Sequence, residues 1–338
     1  MLARRGAGGA YRAGACLDGN RAAGVGLTDL EAVLRTTFGR DRVRSQVLLA
    51  PYTTFRVGGP ADLFFEPRTS TEIVTALMLT HAAAVPVTML GGGSNVLVSD
   101  TGVRGLVLRP RGGTISRIDD IRIESDAAVS INGLVRWTIN HACGGLEAWA
   151  GTPGTVGGGI FGNAHFGGSL LGEVVSEVQV ASRDGTVATL SKEQMAFAYD
   201  RSRLQGTGEV LLSAKFMVSR ADPAALRARA RESLAFRKRT QPLDTRNAGC
   251  IFQNPDPARD RVPDGIPAAA GALIDRAGLK GHAIGGASVS KAHGNFIVNE
   301  GDATAEDIRR LIRRCREEVR RRFAVDLLEE IVYLGEFE

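Results

Sequence analysis

Two glycine-rich loops, each set beside apolar segments, constrain this chain more than any other feature. The first is Leu90-Gly91-Gly92-Gly93-Ser94-Asn95-Val96-Leu97, which follows "VPVTM" and leads into "LVSDTGVRGLVL". The second is "AGTPGTVGGGIFGNAHFGG", Ala150 to Gly168. A loop without Cβ atoms lets backbone N–H groups come close to a ligand, and consecutive amides make a concave nest for an anion. One glycine triplet is read as well as a tight turn. The pair predicts two backbone walls around one large phosphate-bearing cofactor.

At 338 residues the chain can bury a sizeable core and divide into two or three domains. Its 42 glycines gather in the loops without a period, which excludes collagen-like repeats. A formal charge of +5 suits an anionic nucleotide ligand. No helix-turn-helix, zinc-finger or aromatic RNP signature supports nucleic-acid binding. The four cysteines, Cys16, Cys143, Cys250 and Cys315, have no CxxC spacing, which reads as a reducing cytosol without a disulfide framework. The five histidines form no metal-ligand pattern, so no metal is expected. No apolar run reaches the roughly 18 residues of a membrane span. Residues 1–25 are Gly/Ala/Arg-rich without an apolar core; they read as a flexible extension rather than a signal peptide.

Periodicity predicts a helix over 28–38, a strand–turn–strand over "YTTFRVGGPADLFFEP", and a helix over "TSTEIVTALMLTHAAA" before the strand that enters the first glycine loop. From about 104 to 218, β-rich pieces ("GLVLRP", "TISRI", "DAAVSI", "VVSEVQVAS", "TVATL", "GEVLLSAKFMV") surround one helix at about 131–143, and "SRDGT" reads as a hairpin turn. The last third alternates helix and strand. Its clearest helix, "TAEDIRRLIRRCREEVRRRF", repeats Ile308, Leu311, Ile312, Cys315, Val319 and Phe323 on one face, with Thr304 and Asp307 as a capping box. Its arginines read as a solvated face. "LLEEIVYLGEF" reads as a closing strand.

The chain has no GxGxxG, no GxSxG and no Walker loop, so Rossmann, α/β-hydrolase and P-loop readings lack support. It does carry "LGGGSNVLVSD", "GTPGTVGGGIFGNA", "YDRS", "AGCIFQNP", "AGALIDRAGLKGHAIGGASVSKAHGNFIVN" and "LLEEIVYLG" in that order. In this it resembles the UDP-N-acetylenolpyruvoylglucosamine reductases, the MurB family, from about Tyr52 to Gly335, in its shorter type.

The resemblance implies an α+β fold: a two-lobed FAD-binding fold of the PCMH/VAO type plus a C-terminal α/β substrate-binding domain. It divides the chain into the extension at 1–25, a first lobe at 26–110, a second at 111–220 and a substrate-binding domain at 221–338, whose last strand reaches the active site. It implies a cytoplasmic, monomeric enzyme with noncovalent FAD, reduced by NADPH, acting on a UDP-sugar enolpyruvyl ether in peptidoglycan synthesis. Gly91, Gly92, Gly93, Ser94 and Asn95 would wrap the pyrophosphate from one side, and Thr152, Gly154, Gly157, Gly158 and Asn163 would line the other. No histidine stands beside Ser94 to link a flavin covalently.

The same resemblance gives Glu330 a catalytic role, with Glu329 turned away by strand alternation; otherwise Glu330 is a paired surface carboxylate. The proton donor falls on Cys250, where the family usually has serine; otherwise Cys250 is a small buried thiol. The family's Tyr-Arg-x-Ser reads Tyr199-Asp200-Arg201-Ser202 here, so the arginine slot holds an aspartate. Arg201 is the expected substitute, with Arg203 the competitor. Tyr199, Asn254 and Lys291 would bind substrate, and Lys238 and Arg239 would reach phosphate or be a solvated helix end. Two rivals remain: another flavoprotein of this fold oxidising a sugar or hydroxy acid, and a basic nucleotide- or RNA-binding protein without catalysis.

Overall fold

A computed structural model describes residues 26–337; the expected extension and Cys16 lie outside the described residues. The first layer is a four-stranded sheet in the order Val43–Leu48, Pro60–Phe65, Val103–Leu108, Val87–Met89. The first pair is antiparallel and the other two are parallel. Pro60–Phe65 is apolar almost throughout because both faces are covered. Leu63 and Phe65 pack with Leu34 and Leu77 of the helices Leu27–Phe38 and Ser70–Ala82. Phe64 packs on the other side with Leu49, Leu90 and Val98.

The predicted strand before Gly58 is replaced by a 3-10 turn, Ala50–Tyr52. Thr53 closes this segment on itself, its hydroxyl donating to the carbonyls of Ala50 and Val57, and Arg56 sits at φ +59°. Local side-chain hydrogen bonds win over a ladder here. The backbone N–H of Thr54 donates to the carbonyl of Gly93, so the turn buttresses the first glycine loop.

The second layer is an antiparallel sheet ordered Val187–Ser191, Val175–Ala181, Val210–Met217, Arg122–Asp126, Ile115–Arg117. Ser182 and Thr186 close its hairpin. "DAAVSI" only ends a strand: Ser130 caps the helix Ile131–Asn140 instead, accepting from Gly133 N–H. The second glycine loop contains a short helix, Val156–Phe161, because Thr155 caps it and Val156 and Ile160 are buried.

The last region packs the meander Ala283–Ile284, Ala287–Val289, Ile297–Asn299 under the helices Ala270–Arg276 and Ala305–Phe323. Thr304 and Asp307 form the expected capping box, and Ile308, Leu311, Ile312, Cys315 and Val319 are buried. The chain then returns: Val332–Leu334 pairs in parallel with Val96–Val98, the strand leaving the first glycine loop. No helix among the described residues is long and apolar enough to cross a membrane.

Candidate active site

The two glycine loops touch. A Cβ on Gly92 would lie 2.6 Å from Gly154 Cα, and one on Gly91 would lie 2.8 Å from Thr155 Oγ1. Gly93 is left-handed, and a Cβ there would meet the Tyr52 carbonyl at 2.1 Å. Backbone packs against backbone, which is why side chains are excluded. Among the described hydrogen bonds, no backbone N–H from Gly91 to Asn95 donates to a protein acceptor. Five successive amides beside a second amide-bearing loop fit the pyrophosphate of a dinucleotide. Gly157 closes on the Ala127 carbonyl, while Gly158 is exposed.

The returning chain brings Glu330 to this loop. Asn95 donates from Nδ2 to the Glu330 carbonyl at 3.1 Å, and Val332 N–H donates to the Asn95 carbonyl at 3.1 Å. Glu330 N–H donates to the Ile251 carbonyl at 2.8 Å, which fixes Cys250 alongside. The two adjacent carboxylates diverge. Glu329 turns to Arg316 and Tyr333, whereas Glu330 faces Asp200, Tyr199 and Cys250. Burial, reinforced by Asp200, holds the Glu330 carboxyl well above the usual range, so it favours its protonated form. Burial also pushes the half-buried Cys250 thiol up, with Glu330 and Asp200 adding to it. The thiol therefore stays protonated. The buried Asn295 side chain bonds toward Cys250 and brackets Phe252 through both of its backbone polar groups.

The segment around Tyr199 is a turn, not a strand. Ala198 and Arg201 exchange backbone hydrogen bonds, and Asp200 sits at φ +52°. Strand parity does not apply there, and Arg201 is exposed. Arg203 pairs with Glu209 at 2.8 Å. Asp200 points inward: its Oδ1 is 2.8 Å from His165 Nδ1 and its buried Oδ2 has no protein partner. His165 Nε2 is 3.3 Å from Tyr199 Oη. His165, Asp200 and Glu330 each bring one polar atom within 4.8 Å of the others. Tyr199 also meets the backbone N–H of Asn254, whose own side chain accepts from Ala270 N–H.

Two expected residues differ in place. Asn163 is fully buried and spends its amide on the Ala198 carbonyl and Gly172 N–H, so it shapes the Tyr199 turn rather than lining a ligand cleft. Lys291 is exposed and packs near Gly281, with no bond to the carboxylate cluster. Sequence reasoning missed Arg237, concealed in the basic run "FRKR". Its guanidinium is buried, donates to Thr152 Oγ1 at 2.7 Å, lies 3.5 Å over the Phe166 ring and faces Cys250. Burial pushes its pKa down to about 10, still charged at neutral pH. A cavity of about 660 Å³ lined by Arg42, Arg44, Glu66 and Arg111 lies apart and shares no residue with this cluster.

Residues 241–334 match the model for the UDP-N-acetylenolpyruvoylglucosamine reductase C-terminal domain, and residues 61–191 match an FAD binding domain. The UDP-N-acetylenolpyruvoylglucosamine reductase of Trichormus variabilis is 39% identical over 88% of this chain and 87% of its own. The corresponding reductase 2 of Symbiobacterium thermophilum is 41% identical over 87% of this chain and 92% of its own. The crystal structure of UDP-N-acetylenolpyruvylglucosamine reductase (MurB) from Thermus caldophilus covers 87% of this chain and 99% of its own, at 33% identity and a TM-score of 0.72. The chain therefore belongs to the UDP-N-acetylenolpyruvoylglucosamine reductase (MurB) family, with its FAD-binding fold and C-terminal domain.

Proposed function

We propose that this chain reduces the enolpyruvyl ether of UDP-N-acetylglucosamine to the lactyl ether of UDP-N-acetylmuramate, for peptidoglycan synthesis, with noncovalent FAD and NADPH as reductant. The carrying observation is the tie from Asn95, in the amide-lined loop, to Glu330, which shares its pocket with Cys250. FAD bound there would, once reduced by NADPH, supply hydride to the alkene. Gly91 to Asn95 would hold its pyrophosphate through backbone N–H groups, with Thr152, Gly154, Gly157 and Gly158 opposite.

The reduced substrate carries negative charge beside its carboxylate and needs a proton on the α-carbon. Cys250 donates that proton, its thiol kept protonated by burial. Glu330, protonated in the same pocket, donates a hydrogen bond to the developing enolate. Tyr199, Asn254 and Arg237 bind the sugar diphosphate side. The free thiols Cys143, Cys250 and Cys315 support a reducing, cytoplasmic setting, and a monomer is our reading of the assembly.

The test is anaerobic. Purified protein is reduced with NADPH, and UDP-N-acetylglucosamine enolpyruvate is then added while flavin absorbance is followed. Prompt reoxidation with formation of UDP-N-acetylmuramate is expected. A flavin that reduces but is reoxidised only by oxygen would overturn the assignment in favour of an oxidase of the same fold.

A further inference from the structure

Resting on that reading, we propose that His165 is a catalytic residue of the reduction: its imidazolium, anchored by Asp200, supplies the positive charge that meets the substrate carboxylate and its enolate. The developing enolate needs a fixed cationic partner; neither arginine of the Tyr199 turn provides one, and Arg237, which faces Cys250, is held by Thr152 Oγ1 and the Phe166 ring. Arg201 is exposed, and Arg203 is occupied by Glu209. Asp200 stands in their place as a buried carboxylate beside Glu330 and Cys250. A buried carboxylate needs a cationic or hydrogen-bonding partner. Among the described residues, His165 is the cationic group within ion-pair distance, Nδ1 to Oδ1 at 2.8 Å.

The rest of the geometry gives the ring a direction. His165 is partly exposed, at 30% of its side chain, while Asp200 is at 5%. The imidazole leans against Tyr199, with ring centroids 4.6 Å apart. With Nδ1 committed to Asp200, Nε2 is the end left on the cleft side, near Tyr199 Oη at 3.3 Å. Asp200 is thus a positioning residue that fixes the ring, an arrangement familiar from carboxylate–histidine pairs. Asn163 and the αL backbone at Asp200 hold the anchor, because Asn163 grips the Ala198 carbonyl at 2.7 Å. No bond to the imidazole forms in this role; the ring stabilises charge and keeps its proton.

The experiment separates the two half-reactions in FAD-loaded protein. His165→Gln, which removes the charge, His165→Arg, which restores it, and Asp200→Asn, which tolerates the left-handed backbone, are reduced with NADPH and mixed with saturating enolpyruvyl substrate. His165→Gln is expected to slow single-turnover reoxidation about 10²-fold, with flavin reduction by NADPH within twofold of wild type. His165→Arg should recover most of that loss, and Asp200→Asn should fall between wild type and His165→Gln. Wild-type rates in His165→Gln, or an arginine variant no better than the glutamine variant, would overturn the inference alone. A wild-type turnover abolished by chelator and restored by zinc or manganese would also overturn it, replacing the imidazolium with a metal on His165, Asp200 and Glu330. Failure of the wild-type flavin to reoxidise with this substrate would overturn the reductase reading and this inference together.

Discussion

Asn95 Nδ2 donates to the carbonyl oxygen of Glu330 at 3.1 Å, joining the first glycine loop to the far end of the chain. The same asparagine accepts from Val332 N–H through its backbone, where the parallel pairing of Val96–Val98 with Val332–Leu334 begins. The cofactor loop and the carboxyl acid are therefore positioned as one unit. Asn95→Ala removes one hydrogen bond to a part-buried carbonyl, about 1 kcal/mol. It is expected to lower turnover and to weaken FAD retention. Equilibrium FAD titration by fluorescence, beside steady-state turnover, checks this; unchanged turnover and FAD affinity in Asn95→Ala would refute it.

The contact between the glycine loops makes a second prediction. A methyl on Gly92 meets the Gly154 backbone at 2.6 Å, whereas one on Gly158 meets only Thr155 Oγ1 at 3.7 Å. Forcing atoms into such a contact costs about 1–3 kcal/mol. Gly92→Ala should therefore lower the melting temperature and deplete bound FAD, and Gly158→Ala should be much milder. Equal effects in a thermal-shift series on apo and FAD-loaded protein would show that the loops can separate without cost.

Cys250 offers a third. Its thiol is half-buried and its pKa is raised by burial and by Glu330 and Asp200. Little thiolate is present at neutral pH, so alkylation by iodoacetamide should be slow compared with an exposed cysteine in the same buffer. Cys250→Ser should keep substantial turnover because a hydroxyl can still deliver a proton. Cys250→Ala should lose about 10²–10⁴ in turnover while NADPH still reduces the flavin. Undiminished turnover in Cys250→Ala would remove it as the proton donor.

Much of the fold was legible because its segments are locally consistent. The helix Ala305–Phe323 showed its apolar face and its Thr304–Asp307 box in the sequence, and the strands from Val175 to Met217 showed β-branched runs between clear turns. The strand Val43–Leu48 escaped because its apolar pattern is weak: Val43 alone is buried in it. The site was legible where a motif carries one side chain each, as at Cys250 and Glu330. It was illegible where backbone conformation decides direction. Arg201, the arginine nearest the family's usual slot, is the substitute the sequence suggests, but the αL backbone at Asp200 turns the aspartate inward and leaves Arg201 exposed. His165 and Arg237 were hidden for another reason: they join the site only through long-range packing, His165 against Asp200 and Arg237 against Thr152.

Glu330 and Glu329 make the last prediction, because the two neighbours face different surroundings. Glu329 lies near Arg316 and Tyr333, while Glu330 is buried against Asp200 with its pKa raised. Glu330→Gln should therefore depress turnover far more than Glu329→Gln. The sign of the stability effect follows from linkage. A carboxyl whose folded pKa lies above its unfolded value binds its proton more tightly when folded. Its stabilising contribution is complete below the unfolded pKa and is lost as pH rises through the folded pKa. Above that point an ionised Glu330 would sit beside ionised Asp200, and folding must either desolvate the charge or hold a proton against the solution pH. Glutamine removes this cost. Glu330→Gln is therefore expected to melt close to wild type near pH 4 and above wild type near pH 8, in a protein that has lost its turnover. Differential scanning calorimetry at both pH values, in the absence of added substrate, measures the crossover. A variant less stable than wild type at pH 8 would mean that the Glu330 carboxylate is favourably paired when ionised, and the protonated role in the reduction would fall with it.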